Sequence, residues 1–419
     1  MLYKAPRGTH DLWGKQARKL RRLEDICRGV FRRYNYSEII VPTFEDAGLF
    51  TRSIGETTDI IEKEMYVFED RKGRKLALRP EGTASIVRAY VENNLGQDAG
   101  VSKYFQMGSM FRYDRPQAGR YREFYQVGAE YYGNPAPSAD AEMILLARDI
   151  LRGAGIKDAV ILLNTLGCRE CRPAYKKALL DYLKPGSERT KDLCEDCAKR
   201  MEKNPLRVLD CKTDGIKFDK APKMENFLCP ECKAHFEQVQ ALLRETGCEY
   251  TLDHKLVRGL DYYTRTIFEF RSNALGSQDA LGGGGRYDNL IKELGGAETP
   301  AVGFAMGVER VIIAADAASP EFGAEKSNII FVAVASEALN AQAFKLAESL
   351  RNCGKDFSVE GPLAGKSLKS QFRTADKIGA EKVVVFGEDE FKRGCVTVRD
   401  MKTQSQNEVK INDLIKQFQ

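Results

Sequence analysis

Residues 111–130 read Phe111-Arg112-Tyr113-Asp114-Arg115-Pro116-Gln117-Ala118-Gly119-Arg120-Tyr121-Arg122-Glu123-Phe124-Tyr125-Gln126-Val127-Gly128-Ala129-Glu130, and the fold is decided here. Two long strands, roughly 101–113 and 122–132, are predicted around the polar loop Asp114–Arg120. On the second strand residues two apart share a face, so Phe124, Gln126, Gly128 and Glu130 line one surface. Ordinary strand alternation would look similar, but polar and small groups on one strand face are hard to bury without partners. A ligand facing that surface is the better explanation.

Outward from this hairpin the elements mix. Leu20, Leu23, Ile26, Val30 and Phe31 recur at helical spacing in 16–34, and Ser37–Val41 reads as a strand stopped by Pro42. Met65–Phe68 and Leu76–Leu78 flank Asp70-Arg71-Lys72-Gly73 as a hairpin, and a helix follows near 82–94. Long antiparallel strands separated by helices indicate the α+β class. From Cys168 to about Leu243 the strand signal fades into helical, Lys/Glu-rich, cysteine-bearing sequence. It returns at Lys255–Phe270, passes through the glycine run Gly282–Gly285, and continues through Ala301–Ala305 into a helix. The simplest organisation is one domain of residues 1–167 and 244–320 with a mostly helical insertion at 168–243. Ser319–Ser327 reads as a linker. Beyond it Ile329–Ala335, Glu337–Arg351, Asp356–Val359, Leu368–Ile378 and Val383–Phe386 alternate strand and helix, a small α/β domain at 328–419 with a mainly parallel sheet.

At 419 residues the chain needs more than one core. It has no apolar run long enough to span a bilayer, so no membrane association is expected. The start, Met1-Leu2-Tyr3-Lys4-Ala5-Pro6-Arg7-Gly8-Thr9-His10-Asp11, has no apolar stretch after its positive charge, so a cytoplasmic location is expected. A net charge of +5 permits a nucleic-acid partner only if basic groups cluster. Arg112, Arg115, Arg120 and Arg122 do cluster. Arg18, Lys19, Arg21 and Arg22 also do, but read as a solvated helix face. With three histidines, a Ser-His-Asp machine or a histidine-rich metal centre is poorly supplied.

Three further constellations stand out. In Leu256-Val257-Arg258-Gly259-Leu260-Asp261-Tyr262-Tyr263 an arginine beside glycine suits an anion, although the tyrosines alone would be packing. Gly282-Gly283-Gly284-Gly285-Arg286-Tyr287-Asp288 permits close backbone approach to a ligand, as many loops also do. In Gly303-Phe304-Ala305-Met306-Gly307-Val308-Glu309-Arg310 a strand turns at Gly307 into a helix whose first turn carries Arg310.

In order and spacing these segments resemble the signatures of class II aminoacyl-tRNA synthetases, and of the histidyl-tRNA synthetase family among them. Pro42 after its strand is similar to the first motif, at the dimer interface; Arg112–Glu130 resembles the second and Gly303–Arg310 the third. Leu256–Tyr263 and Gly283–Asp288 resemble the two segments peculiar to that family, and Arg79-Pro80-Glu81-Gly82-Thr83 and Arg7–Asp11 match it too. The resemblance implies a class II antiparallel-sheet catalytic domain, a C-terminal α/β anticodon-binding domain and a homodimer. It implies activation of L-histidine by ATP with Mg²⁺, giving histidyl-adenylate and pyrophosphate, then transfer of histidine to the 3′ end of tRNA(His).

Roles follow by the same resemblance. Arg112 holds the α-phosphate, and adenine lies between Phe124 and Arg310. Glu81, Gly82, Thr83 and Gln126 surround the amino acid's ammonium. Glu130 and Tyr263 meet the imidazole nitrogens, with Tyr262 completing the wall. Arg258 sits beside the reacting carboxylate and α-phosphate, and Arg115 and Gln117 contact the tRNA acceptor end. Asp114 stands where Glu is common, which predicts a longer adenine contact. Tyr125 stands where many relatives have His, on the opposite strand face.

The insertion carries Cys168/Cys171, Cys194/Cys197 and Cys229/Cys232, each a CxxC pair, with Cys211 between the second and third. Such pairs in a reducing compartment point to structural zinc. Six ligands do not suit one tetrahedral site, so which four bind is open, and buried thiols in a helical bundle are the plain alternative. The rival function is a non-catalytic, synthetase-like regulatory subunit of ATP phosphoribosyltransferase. Such proteins lose the anticodon domain and the catalytic arginines, whereas Arg112, Arg258, Arg310 and residues 328–419 are all present. A zinc-dependent nucleic-acid-binding module would explain only the cysteines.

Overall fold

Leu20, Leu23, Cys27, Val30 and Phe31 are all buried on one stripe of the first helix, α1 (Lys15–Arg33). That stripe packs on a sheet, with Phe31 stacked on Phe105 at a ring-centroid distance of 4.2 Å. The computed structural model describes residues 3–55, 58–97, 100–184, 190–211, 213–324, 328–353 and 357–417. The chain divides into two compact units, Met1–Ala324 and Glu325–Gln419.

In the first unit α1 is followed by β1 (Ser37–Glu38), β2 (Phe44–Asp46), α2 (Ala47–Ile54), β3 (Val67–Glu69), β4 (Lys75–Leu78) and α3 (Thr83–Glu92). Next come β5 (Ser102–Phe111), β6 (Glu123–Tyr132), α4 (Pro137–Gly153) and β7 (Val160–Thr165). The cysteine-rich segment forms α5 (Arg172–Tyr182), α6 (Glu195–Lys203) and α7 (Pro230–Glu245), with short 3₁₀ turns at Pro205–Val208, Gly215–Phe218 and Met224–Phe227. The sheet resumes with β8 (Thr251–Leu252), β9 (Thr264–Arg271) and β10 (Ala280–Arg286), then α8 (Leu290–Glu293), β11 (Ala301–Gly307) and α9 (Val308–Ala318). The strands form an eight-stranded sheet in the order β1-β5-β6-β11-β10-β9-β7-β8, whose central pairings are all antiparallel. Helices α1, α4 and α9 cover one face with a continuous apolar core. On the other face α3 and α8 cover one end, with Ile86, Val87, Leu290 and Ile291 in one cluster with Tyr132 and Ile267, and the uncovered remainder is left for the site.

Local chemistry explains where the elements depart from expectation. The strand predicted at 37–41 ends at Glu38, because Arg79 donates Nη1 to the carbonyls of Val41 and Pro42 at 2.8 and 3.3 Å, in place of a neighbouring strand. The strand predicted over 255–270 begins only at Thr264. Residues 255–263 leave the sheet through a turn in which Leu256 N–H donates to Asp253 at 3.0 Å, and Asp261 N–H donates to Ile54 O at 3.1 Å. The glycine run lies in the middle of β10, where a Cβ on Gly283 would sit 2.5 Å from Phe268 O. The hairpin of β3 and β4 forms as expected, with Gly73 at φ 77° in its turn.

The cysteine-rich segment has its own apolar cluster, in which Tyr175, Leu179, Val208, Leu209, Phe218 and Met224 surround Cys171, Cys197 and Cys232. Helix α7 starts in that cluster and ends in the main core, where Phe236, Val239 and Leu243 are buried.

In the second unit β12 (Ile329–Val334) and α10 (Asn340–Arg351) lead to β13 (Ser358–Glu360), α11 (Leu368–Lys377), β14 (Lys382–Phe386) and α12 (Glu388–Lys392). It closes with β15 (Cys395–Asp400), β16 (Gln406–Lys410) and α13 (Ile411–Gln417). Parallel pairing holds for β13-β12-β14, but β15 and β16 add antiparallel, so the sheet is mixed and not mainly parallel. The missed hairpin is polar, with β16 almost wholly exposed, and carries little apolar signal. Glu325–Ser327 of the expected linker, and Asp356 of an expected strand, lie outside the described residues.

Arg286 at the end of β10 is fully buried against the fully buried Asp140 in the first turn of α4. Its Nε lies 3.2 and 3.1 Å from the two carboxylate oxygens, and Nη1 donates to Asn134 O at 3.1 Å. His235 Nε2 of α7 is 3.3 Å from the same carboxylate. Burial would raise the Asp140 pKa, but Arg286 and His235 hold it down at about 2. Asp140→Asn leaves the buried Arg286 guanidinium with the partly exposed Asp288, 3.1 Å away, as its remaining carboxylate, and is expected to lower stability by about 3 kcal/mol in urea unfolding followed by circular dichroism. Because the folded pKa is depressed, this contribution is present above about pH 4 and is lost as pH falls toward 2 in the wild type only.

Candidate active site

The uncovered part of that face of the sheet holds a cleft of about 330 Å³ lined by β6, β10, β11, the start of α3 and the 258–263 segment. Glu81 turns the chain into α3, its carboxylate accepting from the N–H groups of Thr83 and Ala84 at 2.7 and 2.8 Å. Gly82 between them permits close packing: a Cβ there would lie 1.4 Å from Gln106 Nε2. Thr83 Oγ1 then donates to Glu130 Oε1 at 2.7 Å.

Glu130 lies beneath the cleft, 2% exposed, and its other oxygen accepts the phenol hydrogen of Tyr287. Burial pushes the Glu130 carboxyl well above the usual range; the Thr83 bond pulls the other way and the charge of Glu81 adds to the rise. A Cβ on Gly303, directly opposite on β11, would come 1.9 Å from Glu130 Oε2. The carboxylate fits there because its neighbour has no side chain. Gln126, two positions along the same strand face from Gly128, lines the cleft, and its Oε1 is buried without a hydrogen-bond partner.

Tyr262, Tyr263 and Tyr287 form an aromatic corner, with ring centroids 4.7 Å apart for the first pair and 5.4 Å for Tyr262–Tyr287. Burial pushes the Tyr263 hydroxyl up to about 12. Arg258 is ion-paired to Glu269 of β9 through Nη1, while its Nε is buried without a partner. Gly283 makes room for it, since a Cβ would stand 3.0 Å from the guanidinium carbon.

At the opposite end Arg112 donates Nε to Pro80 O at 2.8 Å and lies over the Phe124 ring, 5.3 Å from its centroid. Burial lowers its pKa, Glu64 and Glu81 opposing, yet no carboxylate among the described residues stands within 4 Å of it. Arg310, in the first turn of α9, donates Nε to Gly119 O and Nη1 to Ala280 O, both at 2.9 Å. These bonds fix both guanidinium planes and leave the charge to face the cleft.

Of the sequence-predicted site residues, Glu81, Thr83, Arg112, Phe124, Gln126, Arg258, Tyr262, Tyr263 and Arg310 line the cleft, and Glu130 and Gly82 stand directly behind it. Arg115 and Gln117 do not; they are exposed on the loop before β6, which closes through Gln117–Arg120 backbone bonds of 3.0 and 2.9 Å. Asp114 is engaged by Arg120. Tyr125 points to the other face, against the main core. Sequence reasoning passed over Tyr287 and Arg120 as site residues, although counting by two from Gly283 along β10 reaches Tyr287.

The six paired cysteines separate into two groups. The sulfurs of Cys168, Cys171, Cys229 and Cys232 lie within 4.8 Å of one another, and those of Cys194 and Cys197 converge with Cys211 and a carboxylate oxygen of Asp214. Cys168 Sγ is 3.5 Å from Cys171 Sγ and 3.9 Å from Cys229 Sγ. In the second unit Gln371 of α11 bonds Val334 N–H and O at 3.1 and 2.9 Å, clamping that helix to β12.

Residues 8–311 match the family profile described as "Histidyl-tRNA synthetase", and residues 329–419 match "Anticodon binding domain". A histidine–tRNA ligase of Endomicrobium trichonymphae is 53% identical over 417 residues, covering 99% of this chain and 100% of that protein. One of Elusimicrobium minutum is 49% identical, covering 98% of each. The crystal structure of apo S. aureus histidyl-tRNA synthetase superposes with a TM-score of 0.83 at 33% identity, over 100% of both chains.

Proposed function

The chain belongs to the histidyl-tRNA synthetase family, and from that membership we propose how the cleft carries out the family's reaction. The protein is an aminoacyl-tRNA ligase: it activates histidine with ATP and transfers it to tRNA(His). ATP enters with Mg²⁺ on its phosphates. The histidine carboxylate is itself the nucleophile toward the α-phosphorus, so no protein nucleophile is needed. The residues contribute position and charge.

In this proposal the ammonium group lies against Glu81, Thr83 and the unpartnered Gln126 Oε1. The imidazole reaches between Gly303 and the tyrosine corner to Glu130 and Tyr263. Adenine stacks between Phe124 and Arg310, with Arg112 on the α-phosphate and Arg258 across from it at the reacting carboxylate. The observation that carries the proposal is the pairing pattern: a buried carboxylate fitted beside glycine behind one end of the cleft, and fixed guanidinium groups at the other. The exposed Arg115–Gln117 loop is proposed to meet the acceptor end of tRNA, and residues 328–419 to read the anticodon through splayed bases. The rival regulatory role is disfavoured by the presence of Arg112, Arg258 and Arg310 around one cleft.

We assign three further expectations. A homodimer is supported by exposed apolar residues flanking Pro42, Ile40 at 87% and Phe44 at 52%. A cytoplasmic location follows from the substrates; among the described residues no helix is long and apolar enough to cross a membrane. A structural zinc is assigned to Cys168, Cys171, Cys229 and Cys232, which join the starts of α5 and α7 in a segment at about 168–243 inserted in the catalytic domain of 1–167 and 244–320.

The deciding experiment is ATP–pyrophosphate exchange with each amino acid in turn. Exchange with histidine alone is expected, and silence with histidine would transfer support to the regulatory reading. Arg258→Ala should slow adenylate formation by roughly 10²–10³-fold in single turnover while ATP affinity stays within a few-fold; equal losses would reduce Arg258 to a binding group. Glu130→Gln should lower kcat/KM for histidine by roughly 10- to 100-fold with little change for ATP, the loss of one charge-assisted hydrogen bond.

A further inference from the structure

Helix α6 begins at a second convergence of ligand atoms that the aminoacylation reading does not use. Cys194 precedes the helix and Cys197 is its third residue, while Cys211 and Asp214 come from the turns that follow the 205–208 helical turn. Their three sulfurs and one carboxylate oxygen lie within 4.8 Å of one another. The Cys194 and Cys211 sulfurs are 3.7 Å apart. Zinc–sulfur bonds of about 2.3 Å in a tetrahedron place sulfurs roughly 3.8 Å apart, whereas a disulfide needs about 2.05 Å. Cys197 is fully buried and Asp214 is 1% exposed.

Packing does not account for this arrangement. Thiols buried as small apolar residues gain nothing from a carboxylate set among them. Lys217 meets one oxygen of Asp214 at 2.8 Å, and the Cys194 amide donates to the other at 2.9 Å, so each oxygen keeps acceptor capacity. The same arrangement recurs at α7, where Cys229 precedes the helix and Cys232 is its third residue.

We infer that Cys194, Cys197, Cys211 and Asp214 form a second tetrahedral zinc site, separate from the four-cysteine site, so that the chain holds two zinc ions. The second ion ties together the two ends of the strap 194–214. Between those ends the strap lies against the loops that border the cleft. Arg200 donates to Asp59 at 3.0 Å, Arg207 lies 3.8 Å from the same carboxylate, and Asn204 donates to Asp261 at 2.9 Å. Asp261 lies between Arg258 and Tyr262, so the ion positions the segment that carries them without touching substrate. The site does not depend on which amino acid the enzyme activates.

The test is zinc quantification on the full-length protein, purified without chelator under reducing conditions. Wild type is expected to hold two zinc ions per chain, and both Cys197→Ser/Cys211→Ser and Cys171→Ser/Cys229→Ser to hold one. Should a variant fail to fold, cobalt(II) titration of metal-stripped wild type decides, with thiolate-to-cobalt absorption expected to saturate at two equivalents. One ion or none in wild type, or two ions retained in Cys197→Ser/Cys211→Ser, would overturn the second site. Histidine-dependent exchange on the same samples keeps the outcomes distinct: two zinc ions without exchange would sink the enzymatic reading alone.

Discussion

Glu130 is the constraint on which the cleft depends. A carboxylate 2% exposed cannot rest in a sheet without partners, and its two partners come from different parts of the chain, Thr83 at the start of α3 and Tyr287 just after β10. Satisfying one buried acid therefore fixes α3 and β10 against β6. The same requirement leaves Gly303 no alternative, because any side chain there would occupy the carboxylate's own position. Stability and recognition are thus set by one group: whatever ligand N–H reaches it meets an acceptor whose desolvation has already been met by folding.

The opposite end of the cleft works by a different balance. The four guanidinium groups lining the cleft, those of Arg112, Arg120, Arg258 and Arg310, repel one another, and burial lowers the pKa of both Arg112 and Arg310. They are held there by neutral acceptors, the carbonyls of Pro80, Gly119 and Ala280, which orient the planes without cancelling the charge. Arg258 differs, since Glu269 neutralises it in part. The unneutralised charge is therefore concentrated at this end of the cleft, which suits a polyanion. A site that exchanged those carbonyls for carboxylates would fold more comfortably and bind phosphate poorly.

How much of this could be read beforehand depended on whether a signal was local. The 111–130 hairpin was legible because its aromatic and polar alternation runs for ten residues on each side of a polar loop, and α1 because its stripe repeats for about three turns. Segment 255–263 misled because Leu256, Val257, Tyr262 and Tyr263 have strand composition, while their tertiary task is to leave the sheet and wall the cleft. The β15–β16 hairpin was hidden by a polar edge strand. Nine of the residues to which motif resemblance gave roles line the cleft, whereas Tyr287, inside the resembling Gly283–Asp288 segment, was given none. The division of the cysteines was likewise invisible in spacing, since Cys168 and Cys229 are neighbours only through the fold.

That division bears on how the insertion communicates with the catalytic sheet. Its apolar cluster is small, and Arg200 and Arg207 meet Asp59, and Asn204 meets Asp261, through charge and hydrogen bonds at partly exposed positions. Contacts of that kind are individually weak in water and persist only where the backbone carrying them is already ordered. Order in a segment with so little core must come from cross-links, and cysteines at the starts of α5, α6 and α7 stand where such cross-links would fix the helix origins. Asp261 is the point of transfer: its amide is held by Ile54 of the main body and its carboxylate by Asn204 of the strap. A shift of the strap therefore acts on the segment carrying Arg258, Tyr262 and Tyr263 before it reaches any other wall of the cleft.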